Sequence, residues 1–251
     1  MKEDDWANGW KQYFKPLPVG KRLLIRPTWE EAGDPGGRQV LSIDPGMAFG
    51  TGGHETTRLV LETLEELVFP GAELLDVGCG SGILSIAALL LGASRTVGVD
   101  IDPLAVKTAE ENGRINGFTP PRYTVKTGNL ARDVEGTYDV VAANIVADAI
   151  IALSPEVPRF LKPGGVYVMS GIIDTREREV LETPGALRPD AYRTKGSQGL
   201  AVSDGPTPVT ERKRMRWRST TGWTIWAFIC SSPCATSAAT GSCTAPGRDG
   251  S

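Results

Sequence analysis

The 251-residue sequence has a single histidine, His54, and only four cysteines. Cys79 stands far from Cys230, Cys234 and Cys243. Three clustered cysteines with no nearby histidine and no C-x-x-C pair do not supply the ligand set that zinc takes, so no metal site is expected. A disulfide is equally unexpected in an intracellular chain. Long apolar runs are missing too. Ile83 to Leu91 is far shorter than the ~20 residues of a membrane span, and the opening MKEDDW lacks the basic-then-apolar order of a signal peptide. A cytoplasmic location without a membrane partner is the default expectation.

Neither sign of charge dominates: 27 Lys and Arg stand against 30 Asp and Glu, a net of −3. The balance conceals an asymmetry. Residues 183–251 carry nine basic and four acidic side chains, a net of +5, which leaves −8 on residues 1–182. The basic residues gather in ERKRMRWR (211–218). Such a run could suggest RNA binding, but it reads more simply as a solvated charged segment, so direct nucleic-acid binding is not expected.

The most informative stretch is LLDVGCGSGILSIAALLLGASRTVGVDID (74–102). An apolar run ends in Asp76, glycines follow at 78, 80 and 82, a helical pattern comes next, and a second apolar run ends in Asp100. The dinucleotide fingerprint G-x-G-x-x-G puts its third glycine three residues after the second. Here that position is Ile83, and the third glycine comes one step early. The pattern favours S-adenosylmethionine, which has no phosphate. It needs a glycine shelf, where backbone can be approached closely, and a carboxylate for its ribose hydroxyls. Asp100 is the candidate for the ribose. Asp76 is expected to accept hydrogen bonds from the glycine-loop amides, and Asp102, before Pro103, to cap a helix.

Strands are predicted over 21–29, 40–43, 73–77, 95–99, 122–126, 138–143 and 166–170. Helices are predicted around residues 6–14, then over 58–67, 81–91, 103–116, 147–161 (divided by Pro155 and Pro158) and from 175 to 181. Residues 44–57 form a glycine-rich loop, and Lys162-Pro-Gly-Gly a turn. The alternation describes an open, mostly parallel, doubly wound α/β sheet with helices on both faces. Three regions follow: a lead-in (1–43), a cofactor domain (44–182) and an atypical tail (183–251). The tail has no sustained period and its last residues are small, polar and rich in breakers. Only Trp223 to Ile229 could be a buried strand, so the tail is expected to be disordered or translated from a wrong frame.

Five segments carry a resemblance: WANGWKQYFKPLPVG (6–20), DPGMAFGTGGHETT (44–57), LLDVGCGSGILSIAA (74–88), GVDIDPLAVKTAEEN (98–112) and VVAANIVADAI (140–150). Across about residues 4–182 the chain resembles the PrmA-type methyltransferases that modify large-subunit ribosomal protein L11. The resemblance implies the class I methyltransferase (Rossmann-like) fold, with a seven-stranded sheet completed by a final strand pair. It implies S-adenosyl-L-methionine as methyl donor, and lysine side chains and the N-terminal amine of L11 as acceptors. It places cofactor contacts on Thr57, Gly78, Asp100 and Asn144. It also implies a separate N-terminal domain that grips L11, after which this chain is expected to begin. The closing strand pair is not recognisable in the tail. No catalytic residue is assigned: His54 could act as a base or could hold its loop through a backbone hydrogen bond. Asn144 is followed by Ile-Val-Ala, so the N-P-P-Y motif of amide methylation is absent. A different, small-molecule acceptor and an inactive cofactor-binding fragment remain as alternatives.

Overall fold

The computed structural model describes residues 14–44, 54–132, 134–176, 179–180, 212–218 and 224–230. The predicted N-terminal helix lies almost wholly outside these residues. So does most of the 44–57 loop, and so does the tail apart from two strands.

A small sheet comes first. Leu17–Val19 (β1) runs antiparallel to Leu23–Pro27 (β2), which pairs in parallel with Gln39–Ile43 (β3). The main sheet starts with Glu73–Val77 (β4), Arg95–Asp100 (β5) and Tyr123–Thr127 (β6), and continues with Tyr138–Asn144 (β7) and Leu161–Ile173 (β8). Its strand order is β6-β5-β4-β7-β8, followed by Thr224–Cys230 (β10) and Arg212–Arg218 (β9). All neighbours are parallel except β9, which runs against β10.

Among the described residues, these strands are flanked by the α-helices Glu55–Leu67 (α1), Ile83–Leu91 (α2), Pro103–Ile115 (α3) and Ala147–Leu153 (α4). The period of two along each strand divides the core into two layers. Leu74, Val140 and Val168 meet Leu61 and Leu64 of α1 and Ile86 of α2 on one face. Leu75, Val141 and Met169 meet Ile150 of α4 and Phe160 on the other. Because both faces are covered, the strands read as continuous apolar runs, as buried parallel strands do. Among the described residues no helix is long and apolar enough to cross a membrane.

Three expectations are corrected. The helix predicted over 147–161 stops at Leu153, and Val157–Phe160 is a separate 3-10 turn. Pro155 and Pro158 lack the N–H that a continuing helix would need. The predicted turn at Lys162-Pro-Gly-Gly lies within β8 instead. β7 advances from Tyr138 to Val140 while β8 advances from Leu161 to Val166, so the turn residues form an excursion between two paired stretches. Finally, the tail does contain a strand pair. β10 matches the one stretch expected to be able to form a strand, and it pairs with β8 from Thr224 opposite Val166. β9 comes from the basic run read as solvated charge. An edge strand needs a hydrogen-bonded partner on one side only, and so does not need the apolar pattern that marks a buried strand.

Candidate functional site

The strand order places the site. From β4 the chain builds outward to β5 and β6, then returns to the other side of β4 with β7. In open α/β sheets the connections leave a crevice where the order reverses, outside the carboxyl ends of the strands. Here it opens between the ends of β4 and β7, at Gly78 and Asn144. All four residues expected to contact a cofactor lie around it.

Thr57 sits in the first turn of α1 and is 1% exposed. His54 caps this helix: its Nδ1 accepts from the Thr56 amide at 3.3 Å and lies 2.7 Å from Thr56 Oγ1. That is the loop-holding role open to it in the sequence. Asn144 closes β7, and its Nδ2 donates to Thr57 Oγ1 at 3.1 Å across 87 residues of chain. Gly78 has φ of +73°, and a Cβ there would collide with Ile145, the residue after Asn144. Its amide donates to Val99, the residue before Asp100, at 2.7 Å.

Asp100 uses both carboxylate oxygens to hold backbone. Oδ2 accepts from the Gly80 amide at 2.8 Å and Oδ1 from the Asp102 amide at 3.0 Å. Each oxygen keeps a further lone-pair direction for a ligand hydroxyl. Asp102 caps α3, as expected, by accepting from the Leu104 amide at 2.8 Å.

Asp76 differs from expectation. It is fully buried, and its Oδ2 accepts from the amide and hydroxyl of Ser85 in α2, at 3.1 and 2.9 Å, rather than from the glycine loop. The loop amides of Gly78 and Cys79 turn to Val99 and that of Gly82 to Cys79, so Asp76 meets the helix behind the loop instead. Desolvation pushes its pKa up to about 7, and among the described residues Oδ1 has no partner. Cys79 is buried beside it, and burial raises its thiol well above the ordinary value, so it carries no thiolate.

These bonds define the chemistry of the shelf. The amides of Gly78, Cys79, Gly80, Gly82 and Ser85 all donate to protein acceptors, two of them carboxylates. A pyrophosphate site needs such amides free at the helix N-terminus. With these amides engaged and the Asp100 carboxylate at its rim, the shelf suits a ligand without phosphate that presents hydroxyls and positive charge. S-adenosylmethionine, with its sulfonium, ammonium and ribose hydroxyls, fits that donor set.

The sequence reading missed Asn112 of α3 and Asn116, the residue that caps its C-terminus. Asn112 is fully buried; its Oδ1 accepts from the Asp44 amide at 2.8 Å, and its Nδ2 donates to the carbonyls of Asp44 and Ser81, both at 2.9 Å. Asn116 accepts from the Ser42 amide at 2.9 Å and donates to the Ser42 carbonyl at 2.6 Å. The available signal was two asparagines, weak helix formers, four residues apart at the last turn and the C-cap of one helix.

Comparison with known proteins agrees with this geometry. The family described as Ribosomal protein L11 methyltransferase (PrmA) matches residues 1–188. A ribosomal protein L11 methyltransferase of Caldanaerobacter subterraneus subsp. tengcongensis is 53% identical over 180 residues, which are 72% of this chain and 58% of that protein. One from Thermoanaerobacter pseudethanolicus is 48% identical over the same shares. The chain thus spans little more than half the length of these relatives. A crystal structure of a ribosomal protein L11 methylase from Lactobacillus delbrueckii subsp. bulgaricus superposes with a TM-score of 0.65 at 28% identity, covering 75% of this chain and 94% of that one. With a class I methyltransferase sheet, a glycine shelf and a carboxylate at the end of its second strand, the chain belongs to the ribosomal protein L11 methyltransferase (PrmA) family.

Proposed function

We propose that this chain transfers methyl groups from S-adenosylmethionine to amines of ribosomal protein L11, at lysine side chains and the N-terminal amine, in the cytoplasm. Residues 44–182 form the cofactor-binding unit and residues 1–43 its lead-in. The carrying observation is the shelf whose amides are committed to Val99, Cys79, Asp76 and Asp100. Amides so engaged favour a ligand without phosphate, and Asp100 offers acceptors to a diol.

In this reading the Asp100 carboxylate binds the ribose hydroxyls while it holds Gly80 in place. Gly78 lets the ligand approach the main chain at the crevice. Thr57 and Asn144 form the wall on the β7 side. S-adenosylmethionine supplies a methyl group on a sulfonium, already a good leaving group. The protein therefore has to align an in-line attack by a neutral amine. An unperturbed lysine ammonium has a pKa of about 10.4 and must lose a proton first. Removing it from water favours the neutral form. With Nδ2 of Asn144 engaged by Thr57, Oδ1 is the atom that can orient the incoming amine.

Isothermal titration of the chain with S-adenosylmethionine, followed by transfer of labelled methyl to purified L11, tests the proposal. Saturable binding and label on L11 are expected. Absence of binding at millimolar cofactor overturns the cofactor assignment. Binding with label appearing only on a small-molecule amine overturns the acceptor.

A further inference from the structure

We propose that Asn112 is a positioning residue for the cofactor, one that locks the entry of the 44–57 loop to the glycine shelf. The inference rests on reading that shelf as the S-adenosylmethionine site.

Among the described residues, β3 lies at the edge of the small sheet with β2 as its strand neighbour. Its other edge is met by the side chains of α3. Asn116 pairs with both the N–H and C=O of Ser42, and Asn112 with both the N–H and C=O of Asp44. The spacings agree: four residues of helix rise about 6 Å, and two residues of strand about 6.6 Å. The two carboxamides therefore replace a missing strand at alternate residues.

The two asparagines differ in their remaining bond. Asn116 spends its other donation within its own helix, on the Asn112 carbonyl at 2.8 Å. Asn112 gives its to the Ser81 carbonyl at 2.9 Å, between Gly80 and Gly82. Its carboxamide thereby joins Asp44 to the middle of the shelf, inside a fully buried slot. Nearby packing limits how far the two can shift: a Cβ on Gly82 would meet Ala109 of the same helix at 3.1 Å. The far end of the loop is held separately, where Thr57 meets Asn144. One asparagine thus sets where the loop starts relative to Gly80 and its partner Asp100.

Asn116 provides the control, because it makes the same kind of strand substitution without touching the shelf. The test measures S-adenosylmethionine affinity by titration calorimetry on wild type, Asn112→Ala and Asn116→Ala, with each variant held well below its own Tm. Both substitutions are expected to lower Tm. Only Asn112→Ala is expected to weaken the cofactor, by roughly 10–100-fold, as displacement of a positioned group does. If Asn112→Ala does not fold, the near-isosteric Asn112→Asp keeps the acceptor for Asp44 and can donate, when protonated, at most one of the two hydrogen bonds, and is expected to show a loss in the same direction. Unchanged affinity in a folded Asn112 variant, or an equal loss in Asn116→Ala, overturns the inference. If the wild type itself binds no cofactor, the reading of the shelf fails, an outcome distinct from a failure of the Asn112 assignment.

Discussion

The Asn144 carboxamide donates to the Thr57 hydroxyl at 3.1 Å, joining the end of β7 to the first turn of α1. The bond makes one unit of two residues that sequence places 87 positions apart, on the β7 side of the crevice. Thr57→Val and Asn144→Ala should each weaken S-adenosylmethionine binding, and the double variant should lose less than the sum. The expected coupling is about 1 kcal/mol, or about fivefold in affinity. Strictly additive losses in a double-mutant cycle would show that the two residues act independently.

Asp100 has two duties, holding the amides of Gly80 and Asp102 and facing the ligand. Asp100→Ala removes both and should weaken cofactor binding by about 100-fold, the scale of two hydrogen bonds to a charged group. Asp100→Asn keeps one acceptor and should fall between. Titration calorimetry decides, and wild-type affinity in the alanine variant would refute the ribose assignment.

Gly82 has φ of +81° and lies against the Tyr123 hydroxyl. Gly82→Ala should therefore cost about 1–2 kcal/mol from backbone conformation alone, plus the clash. Tyr123→Phe removes an oxygen that has no hydrogen-bond partner among the described residues and should be nearly neutral by itself. In the Gly82→Ala background it should recover part of the loss, since Ala109 still crowds the new methyl. Urea denaturation of the four proteins measures this; no recovery would mean that strain at φ and the contact with Ala109 account for the whole cost.

Asp76 has a folded-state pKa raised to about 7, from an ordinary value of 3.8, by desolvation. Between these values the folded chain binds more protons than the unfolded one, so this group's stabilising contribution is complete below the unfolded pKa. It is lost as pH rises through about 7. Asp76→Asn cannot ionise. Its stability advantage over wild type should grow from pH 5 to pH 8 and reach a few kcal/mol, roughly. Denaturant unfolding at both pH values checks the sign. A constant difference would show that Asp76 does not titrate over this range.

Much of the fold was legible because both faces of the main sheet are covered. Strands such as Glu73–Val77 and Tyr138–Asn144 then appear as apolar runs, the first leading directly into Gly78 and the second ending in Asn144 at the crevice. The Asp102 cap on α3 was legible for a similarly local reason, since capping needs only neighbouring backbone. β9 was not legible: five of its seven residues are basic, and only pairing with β10 makes it a strand. The partners of Asp76 were missed because Ser85 reaches it only once α2 has folded back over β4.

The sequence alone determined the periods of two and 3.6, the glycines where the chain must turn with positive φ, and the acid that ends β5. All of these depend on a residue and its near neighbours. The tertiary structure decided which acceptors the shelf amides take, that Thr57 meets Asn144, and that Asn112 joins Asp44 to Ser81. Those are hydrogen bonds between groups brought together by packing, and their long sequence separation leaves no local signal of which partner each will take.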